Sequence, residues 1–121
     1  MDARKLAQRC RELADDKKAE DIIIMDVRKL SSVTDYFVLA SALSDPHLRA
    51  TVQEIEVRLK EAGIFAGAVD GAASAGWVVL DYFDVMVHVM RSDVRAHYDL
   101  EGLWNDAPRV RTRTVKNRKP S

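Results

Sequence analysis

The chain has 121 residues, a length typical of one domain that can bury a hydrophobic core without a disulfide or a structural metal. Its 47% hydrophobic and 31% charged residues are the composition of an ordinary globular protein. Basic and acidic residues number 19 each, and the resulting formal net charge of zero excludes a nucleic-acid binder that relies on bulk positive charge.

The first half of the chain predicts a helix, two strands and a second helix. Asp2 is a suitable N-cap for the first helix, and apolar residues recur at helical spacing on one face: Leu6, Cys10, Leu13 and Ala14. Residues 21–27 and 36–41 are short apolar runs typical of buried strands, and they should pair antiparallel because only about eight residues separate them. The second helix begins with Asp45 as its N-cap, and Gly63 ends it.

The segment after Gly63 predicts a short strand and then a hairpin. Residues 68–70 indicate the strand, which is followed by a flexible, glycine-rich loop over 71–76. Residues 77–81 and 84–90 are two further strands, joined by Tyr82-Phe83 as a two-residue loop. Two-residue turns favour positive φ, so either the phenylalanine is strained or the loop is longer.

The last elements complete an α/β fold. A short helix over 94–98, capped by Ser92-Asp93, precedes a compact apolar and acidic segment over 99–104. The order of elements predicts a mixed β-sheet of about five strands with flanking helices, in which the middle helix makes a right-handed crossover.

The chain ends in a basic tail. Residues 108–121 contain no acidic residue, which leaves a formal charge of −6 on residues 1–107. We expect a folded domain over 1–107 and a tail that is disordered on its own. One hypothesis makes the tail a nucleic-acid contact through its six basic residues: Arg109, Arg111, Arg113, Lys116, Arg118 and Lys119.

Cysteine usage and hydropathy indicate a cytoplasmic location. Cys10 is the single cysteine, so the chain can form no internal disulfide, and it is interpreted as a small core residue. No apolar run is long enough to cross a membrane, and the N-terminus lacks the apolar core of a secretory signal.

The predicted hairpin has two different faces. Its loop pairs Asp81 with Asp84, Val79 with Met86, and Trp77 with His88, and alternation gives one purely apolar face: Val78, Leu80, Val85, Val87 and Val89. The other face is mixed: Trp77, Val79, Asp81, Asp84, Met86, His88 and Met90. Two interpretations stay open for it, a half-solvated sheet face and a protein-binding face, since tryptophan and methionine are enriched at interface cores.

An enzymatic interpretation is weaker. Asp81, Asp84 and His88 could hold a metal for a nucleotidyl or phosphoryl transferase. Their spacing matches no familiar metal signature, and the chain contains no phosphate-binding loop and no hydrolase motif. His47 and His97 are interpreted as surface or capping residues. We therefore expect a protein that is not an enzyme and holds no metal or cofactor.

Three segments in order resemble one protein family. Residues 35–44 are similar to the pattern Asp-x-Phe-Val-Ile-x-(Ser/Thr)-Gly-x-Ser. Residues 77–88 are similar to Trp-x-x-x-Asp-(Tyr/Leu)-Gly-Asp-(Val/Ile)-(Val/Ile)-Val-His, and residues 95–104 to Arg-x-x-Tyr-x-Leu-Glu-x-Leu-Trp. Together they resemble the ribosomal silencing factors, the Iojap family of bacteria and organelles, over roughly residues 5–107. The chain departs from the patterns at Phe83, where the family has glycine, and at Ala42-Leu43.

The resemblance implies a fold, a partner and a mode of action. The fold is nucleotidyltransferase-like without the catalytic carboxylates. The partner is ribosomal protein fourteen of the large subunit, and binding there blocks the small subunit and represses translation and ribosome biogenesis. The family is often homodimeric when free. An acidic body suits a basic ribosomal protein, and the tail could contact ribosomal RNA.

The implied partner and the mixed hairpin face together lead us to predict the partner-binding residues. On the mixed hairpin face they are Trp77, Val79, Asp81, Asp84, Met86, His88 and Met90. Tyr98, Glu101 and Trp104 follow in the C-terminal segment, where packing of the last helix onto the sheet is the alternative role.

Overall fold

Four helices and five strands form the part of the chain that the computed structural model describes, residues 2–110. The helices are α1 (Ala3–Asp16), α2 (Asp45–Glu61), α3 (Ser92–Tyr98) and α4 (Leu100–Leu103). The strands are β1 (Glu20–Asp26), β2 (Tyr36–Ala42), β3 (Ala68–Ala72), β4 (Trp77–Asp81) and β5 (Val85–Arg91). None of these described helices is long and apolar enough to cross a membrane.

The strands form one mixed sheet in the order β1-β2-β5-β4-β3. The central pair, β2 and β5, is parallel, and the other three pairs are antiparallel. The predicted antiparallel pairing of the first two strands and the predicted mixed α/β sheet are therefore confirmed.

The main core lies between the sheet and the helices α1 and α2. The predicted apolar residues of α1 are buried, and so are all five residues of the purely apolar hairpin face. Burial raises the pKa of the Cys10 thiol to about 12. This thiol therefore stays protonated, and Cys10 packs as a small apolar residue, as predicted.

A side-chain cap sets the N-terminal end of α2, and a glycine follows its C-terminal end. The N-cap is Ser44, whose hydroxyl accepts the backbone N–H of His47 at 3.2 Å. The prediction of Asp45 as the N-cap is wrong by one residue, because its backbone is already helical, while its carboxylate accepts a hydrogen bond from Arg91 at 2.8 Å. At the other end Gly63 has a φ of 81°, which confirms its predicted role.

The glycine-rich segment before β4 is more ordered than predicted. Strand β3 continues to Ala72 through backbone pairing with β4, although all five of its residues are exposed. A single 3₁₀ turn, Ala73–Ala75, and Gly76 then complete the connection in place of the predicted flexible loop. A side chain at Gly71 would collide with the Trp77 carbonyl, so this pairing requires glycine there.

The β4–β5 hairpin has a different register from the predicted one, but each side chain lies on its predicted face. Asp81 pairs with Met86 and Val79 with His88, so the loop is Phe83-Asp84 and the register is displaced by two residues. A displacement by an even number leaves every side chain on its predicted face. Phe83 is strained: its φ is 69°, and the Asp84 N–H donates to the Tyr82 carbonyl at 2.8 Å to close a γ-turn.

The C-terminal part crosses the second face of the sheet and returns to β1. Asp93 does not cap α3; its carboxylate pairs with Arg91 at 2.7 Å. Beyond α4, the Pro108 carbonyl accepts the Asp26 N–H, and the Val110 N–H donates to the Ile24 carbonyl, both at 2.8 Å. These bonds correct the prediction of a disordered tail for residues 108–110, whereas 111–121 lie outside the described residues.

We expect Ser44→Ala to lower the free energy of unfolding by about 1 kcal/mol, since it removes the hydroxyl that caps α2. Urea unfolding followed by circular dichroism measures the change. Ser32→Ala, at an exposed position in the β1–β2 connection, is the matched control and should leave the midpoint unchanged. Equal midpoints for the two variants would contradict the assignment of the cap.

Candidate protein-docking face

The sheet face opposite α1 and α2, here called the outer face, carries the mixed hairpin residues. The strand register sets its side chains in three rows across β2, β5 and β4: Phe37, Met86 and Asp81; Leu39, His88 and Val79; Ser41, Met90 and Trp77. Opposed residues of paired strands share a face, so each row is contiguous. The register thus brings together six of the seven predicted hairpin residues, while Asp84 lies exposed in the turn.

The outer face is covered on one side and open on the other. Over β1 and β2 it forms a second buried cluster with the C-terminal segment, in which Phe37 and Trp104 pack beside the buried Leu39 and Ala107. Over β4 and β5 the side chains of Trp77, Val79, Asp81 and Met86 remain partly accessible. The open side is therefore the part of this face that a partner can reach.

Five aromatic rings run in a continuous row across this face. Tyr98 packs on Trp77 with ring centroids 4.9 Å apart, and Trp77 lies 5.9 Å from His88. His88 in turn meets the Phe37 ring edge-on at 5.3 Å, and Phe37 lies 5.1 Å from Trp104. Such pairs each add about 0.5–1.5 kcal/mol beyond the area that they bury. The row connects α3 to the end of α4 through side chains of three strands, β4, β5 and β2, so these elements pack together.

His88 is buried in the middle of the row and is neutral. Its Nδ1 accepts the indole N–H of Trp77 at 3.0 Å. Burial lowers the pKa of His88 to about 4, so the ring carries no charge near neutral pH. Its Nε2 is buried and has no hydrogen-bond partner within the described part of the chain. His88 therefore cannot serve as a cationic contact for a partner.

Arg95 fastens α3 and α4 to the sheet. Its guanidinium is buried and donates to the Asp21 carbonyl at 2.7 Å, the Ser41 hydroxyl at 2.9 Å and the Glu101 carboxylate at 3.0 Å. The Arg95 guanidinium also holds the pKa of Glu101 below its usual range. Glu101, one of the predicted partner-binding residues, thus uses its carboxylate inside the chain.

The remaining predicted residues differ in accessibility. Tyr98 is 53% exposed and Trp104 is half-buried against Phe37, whereas Met90 is completely buried and cannot reach a partner in this conformation. Of the six basic tail residues only Arg109 is described; its side chain is exposed, and its backbone pairs with Met25.

Sequence reasoning missed Asp70 and Arg95. Asp70 is exposed on β3 and lies opposite Val79, which places it on the outer face, diagonal to Asp81. Extending the strand prediction past residue 70 would have given this register. Arg95 stands in the third motif, but its sequence neighbours give no sign that it is buried.

Two of the three residues proposed for a metal site make other contacts, and the third, Asp84, lies exposed in the turn. The Asp81 carboxylate accepts the Phe83 N–H at 2.8 Å, and His88 Nδ1 holds the Trp77 indole. Within residues 2–110 no group of three or more histidine, cysteine, aspartate or glutamate side chains is arranged to bind a metal ion. The described geometry therefore does not favour the metal-dependent transferase hypothesis.

The fold and the outer face define an α/β domain with a partly accessible aromatic and acidic surface on one side of its sheet. The family model described as "Ribosomal silencing factor during starvation" matches residues 1–121, including the tail that the motif resemblance left outside. The chain belongs to the ribosomal silencing factor family.

Individual relatives agree with this assignment. The chain is 44% identical to the ribosomal silencing factor of Bacillus subtilis over 94 residues, which cover 78% of this chain and 80% of that protein. It is 36% identical to the factor of Halalkalibacterium halodurans over 110 residues, covering 91% and 94% of the two chains. A crystal structure of a Chromobacterium violaceum protein superposes with a TM-score of 0.83 at 34% identity, covering 100% of this chain and 92% of the other.

We expect Glu101→Gln to destabilise the protein by about 1 kcal/mol at pH 7, because a charge-assisted hydrogen bond to Arg95 is weakened while solvent still reaches the carboxylate. The pKa of Glu101 is lowered in the folded state, so its contribution is present above the ordinary value of 4.5 and disappears as the pH falls below it. Urea unfolding at pH 7 and pH 3 measures the difference between the variant and the parent protein.

The pKa values of Asp26 and Asp93 are also lowered. Their contributions to stability are the same in the Glu101→Gln variant and in the parent protein, so they cancel in the difference between the two. Glu12→Gln, at an exposed ion pair with Arg9, is the control and should change little at either pH. A Glu101→Gln difference as large at pH 3 as at pH 7 would show that charge is not the cause.

Proposed function

We propose that this chain binds the large ribosomal subunit through ribosomal protein fourteen and blocks joining of the small subunit, which represses translation. Membership of the ribosomal silencing factor family and the three motifs support this proposal. The observation that carries it is the open side of the outer face, where the half-exposed Trp77 stands against Tyr98 with carboxylates nearby.

The chemistry of that face suits a basic protein. Tryptophan is enriched among the residues that dominate the binding energy of interfaces, and the contacts around such a residue exclude water from it. Asp70, Asp81 and Asp84 supply negative charge around the open side. Opposite charge on a ribosomal protein would steer the encounter and fix the orientation of the complex.

The mode of action is steric. A bound domain of about 13 Å radius of gyration occupies volume that the small subunit needs, and no bond is made or broken. Inhibition then depends on the fraction of large subunits occupied, so it follows affinity and protein concentration. In this proposal the protein is a translational regulator without catalytic activity.

Location and oligomeric state are part of the same proposal. The chain acts in the cytoplasm, where bacterial ribosomes assemble from their subunits. It is a homodimer when it is free of ribosomes, and support for this statement comes from the family resemblance.

We expect Trp77→Ala to weaken binding to large subunits about thirtyfold, equivalent to roughly 2 kcal/mol, because a central aromatic contact is removed. Co-sedimentation with purified large subunits and a subunit-joining assay measure the loss, and circular dichroism checks the fold. Phe65→Ala, at an exposed aromatic residue on the α2 side of β3, is the matched control. Undiminished co-sedimentation of Trp77→Ala would refute the assignment of this anchor.

We propose that the basic tail adds contacts to ribosomal RNA that depend on salt and not on sequence. Truncation after Val110 removes five basic residues and keeps the backbone pairing with β1. The slope of log affinity against log salt should then become shallower by about 1 or more, since each phosphate contact contributes roughly 0.7–0.9. An unchanged slope for large-subunit binding would rule out the tail as an RNA contact.

A further inference from the structure

We propose that His88 is a positioning residue, which holds the indole of Trp77 in the orientation that a partner binds. The inference rests on the proposed function, in which Trp77 is a central contact. His88 is buried beneath the accessible surface, and it acts on binding only through Trp77.

The hydrogen bond between the two rings fixes both of them. An indole N–H can only donate, so His88 Nδ1 must accept with a lone pair, and the imidazole proton is on Nε2. His88 itself cannot turn away, because it belongs to the central strand β5 and meets the Phe37 ring edge-on. The bond thus connects a half-exposed indole to a rigid group in the sheet.

Packing alone does not explain a histidine at this position. The Nε2 of His88 is buried without a hydrogen-bond partner in the described structure, and such a group costs free energy that a leucine would not. What the imidazole supplies in return is the acceptor for Trp77. Burial lowers the pKa of His88 to about 4, which keeps that acceptor available at neutral pH.

The position of Trp77 explains why it needs such support. Its ring packs against Tyr98, a residue that is itself 53% exposed, and Trp77 remains partly accessible to solvent. An indole that is free to change rotamer must be ordered on binding, and that ordering lowers affinity. The His88 bond orders the ring before the partner arrives.

The test compares two substitutions of similar size. His88→Leu removes the acceptor, whereas His88→Asn places a carboxamide oxygen near the former position of Nδ1. We expect His88→Leu to lower affinity for large subunits roughly three- to tenfold, the loss typical of one hydrogen bond, and His88→Asn to restore most of it. Thermal unfolding of each variant checks that the fold is intact.

A double-mutant cycle separates positioning from a general structural effect. Trp77→Phe keeps an aromatic ring and lacks the N–H donor, so His88→Leu in that background should change affinity by less than about twofold. An equal loss in both backgrounds would show that His88 supports the sheet and does not act through Trp77.

The indole signal gives a readout that does not depend on the ribosome. Solvent exchange of the Trp77 indole N–H, followed by nitrogen-15 NMR and assigned with Trp104→Phe, should accelerate in His88→Leu and stay slow in His88→Asn. Unchanged exchange in His88→Leu overturns the positioning role. If His88→Asn restores slow exchange but Trp77→Ala still binds ribosomes fully, Trp77 is not the anchor. The effect of His88 on binding, which was inferred through Trp77, is then overturned as well.

Discussion

The buried guanidinium of Arg95 holds α3 and α4 against the sheet through hydrogen bonds, in addition to the packing of the aromatic rings. Helices as short as α3 and α4 are not stable in isolation, because nucleation of a helix outweighs the few hydrogen bonds that they form. A buried charge is costly unless it is paired and hydrogen-bonded. Arg95 meets that condition with a carboxylate, a hydroxyl and a carbonyl, and these three partners come from α4, β2 and β1. The cover over half of the outer face depends on this cluster.

The carbonyl that Arg95 uses is made available by an irregularity in β1. The register between β1 and β2 shifts between Glu20 and Ile23, which places one extra residue in β1. Asp21, within this bulge, has a φ of 47°, and its carbonyl accepts from Arg95. The third motif of the sequence therefore has a physical role within the chain: its arginine and glutamate hold the aromatic residues at the two ends of the ring row.

The sequence predicts the faces of the sheet better than the contacts between elements. Alternation along β4 and β5 identifies the five apolar residues that face the main core, although it misses the burial of Tyr82 and Met90. The faces remain correct despite the wrong register because the displacement is even. The register itself depends on Phe83 at positive φ, a conformation that its side chain disfavours. The sequence therefore leaves a strained phenylalanine and a longer loop as alternatives, and only the folded structure decides between them. Likewise, Arg95 and Asp21 are 74 residues apart, so the burial of Arg95 and the internal use of Glu101 follow only from the folded structure.

The split of charge noted in the sequence corresponds to a separation in space. Trp77 and Asp81 lie on β4, whereas residues 108–110 pair with the free edge of β1, so three strands stand between them. Four strand spacings amount to about 19 Å, so residues 108–110 lie well away from the proposed protein contact. Two contacts at opposite sides of the sheet do not compete for one surface, and a tethered second contact raises the effective concentration of the first. In the proposed function the outer face therefore selects the site on the ribosome, and the tail strengthens binding there without choosing it.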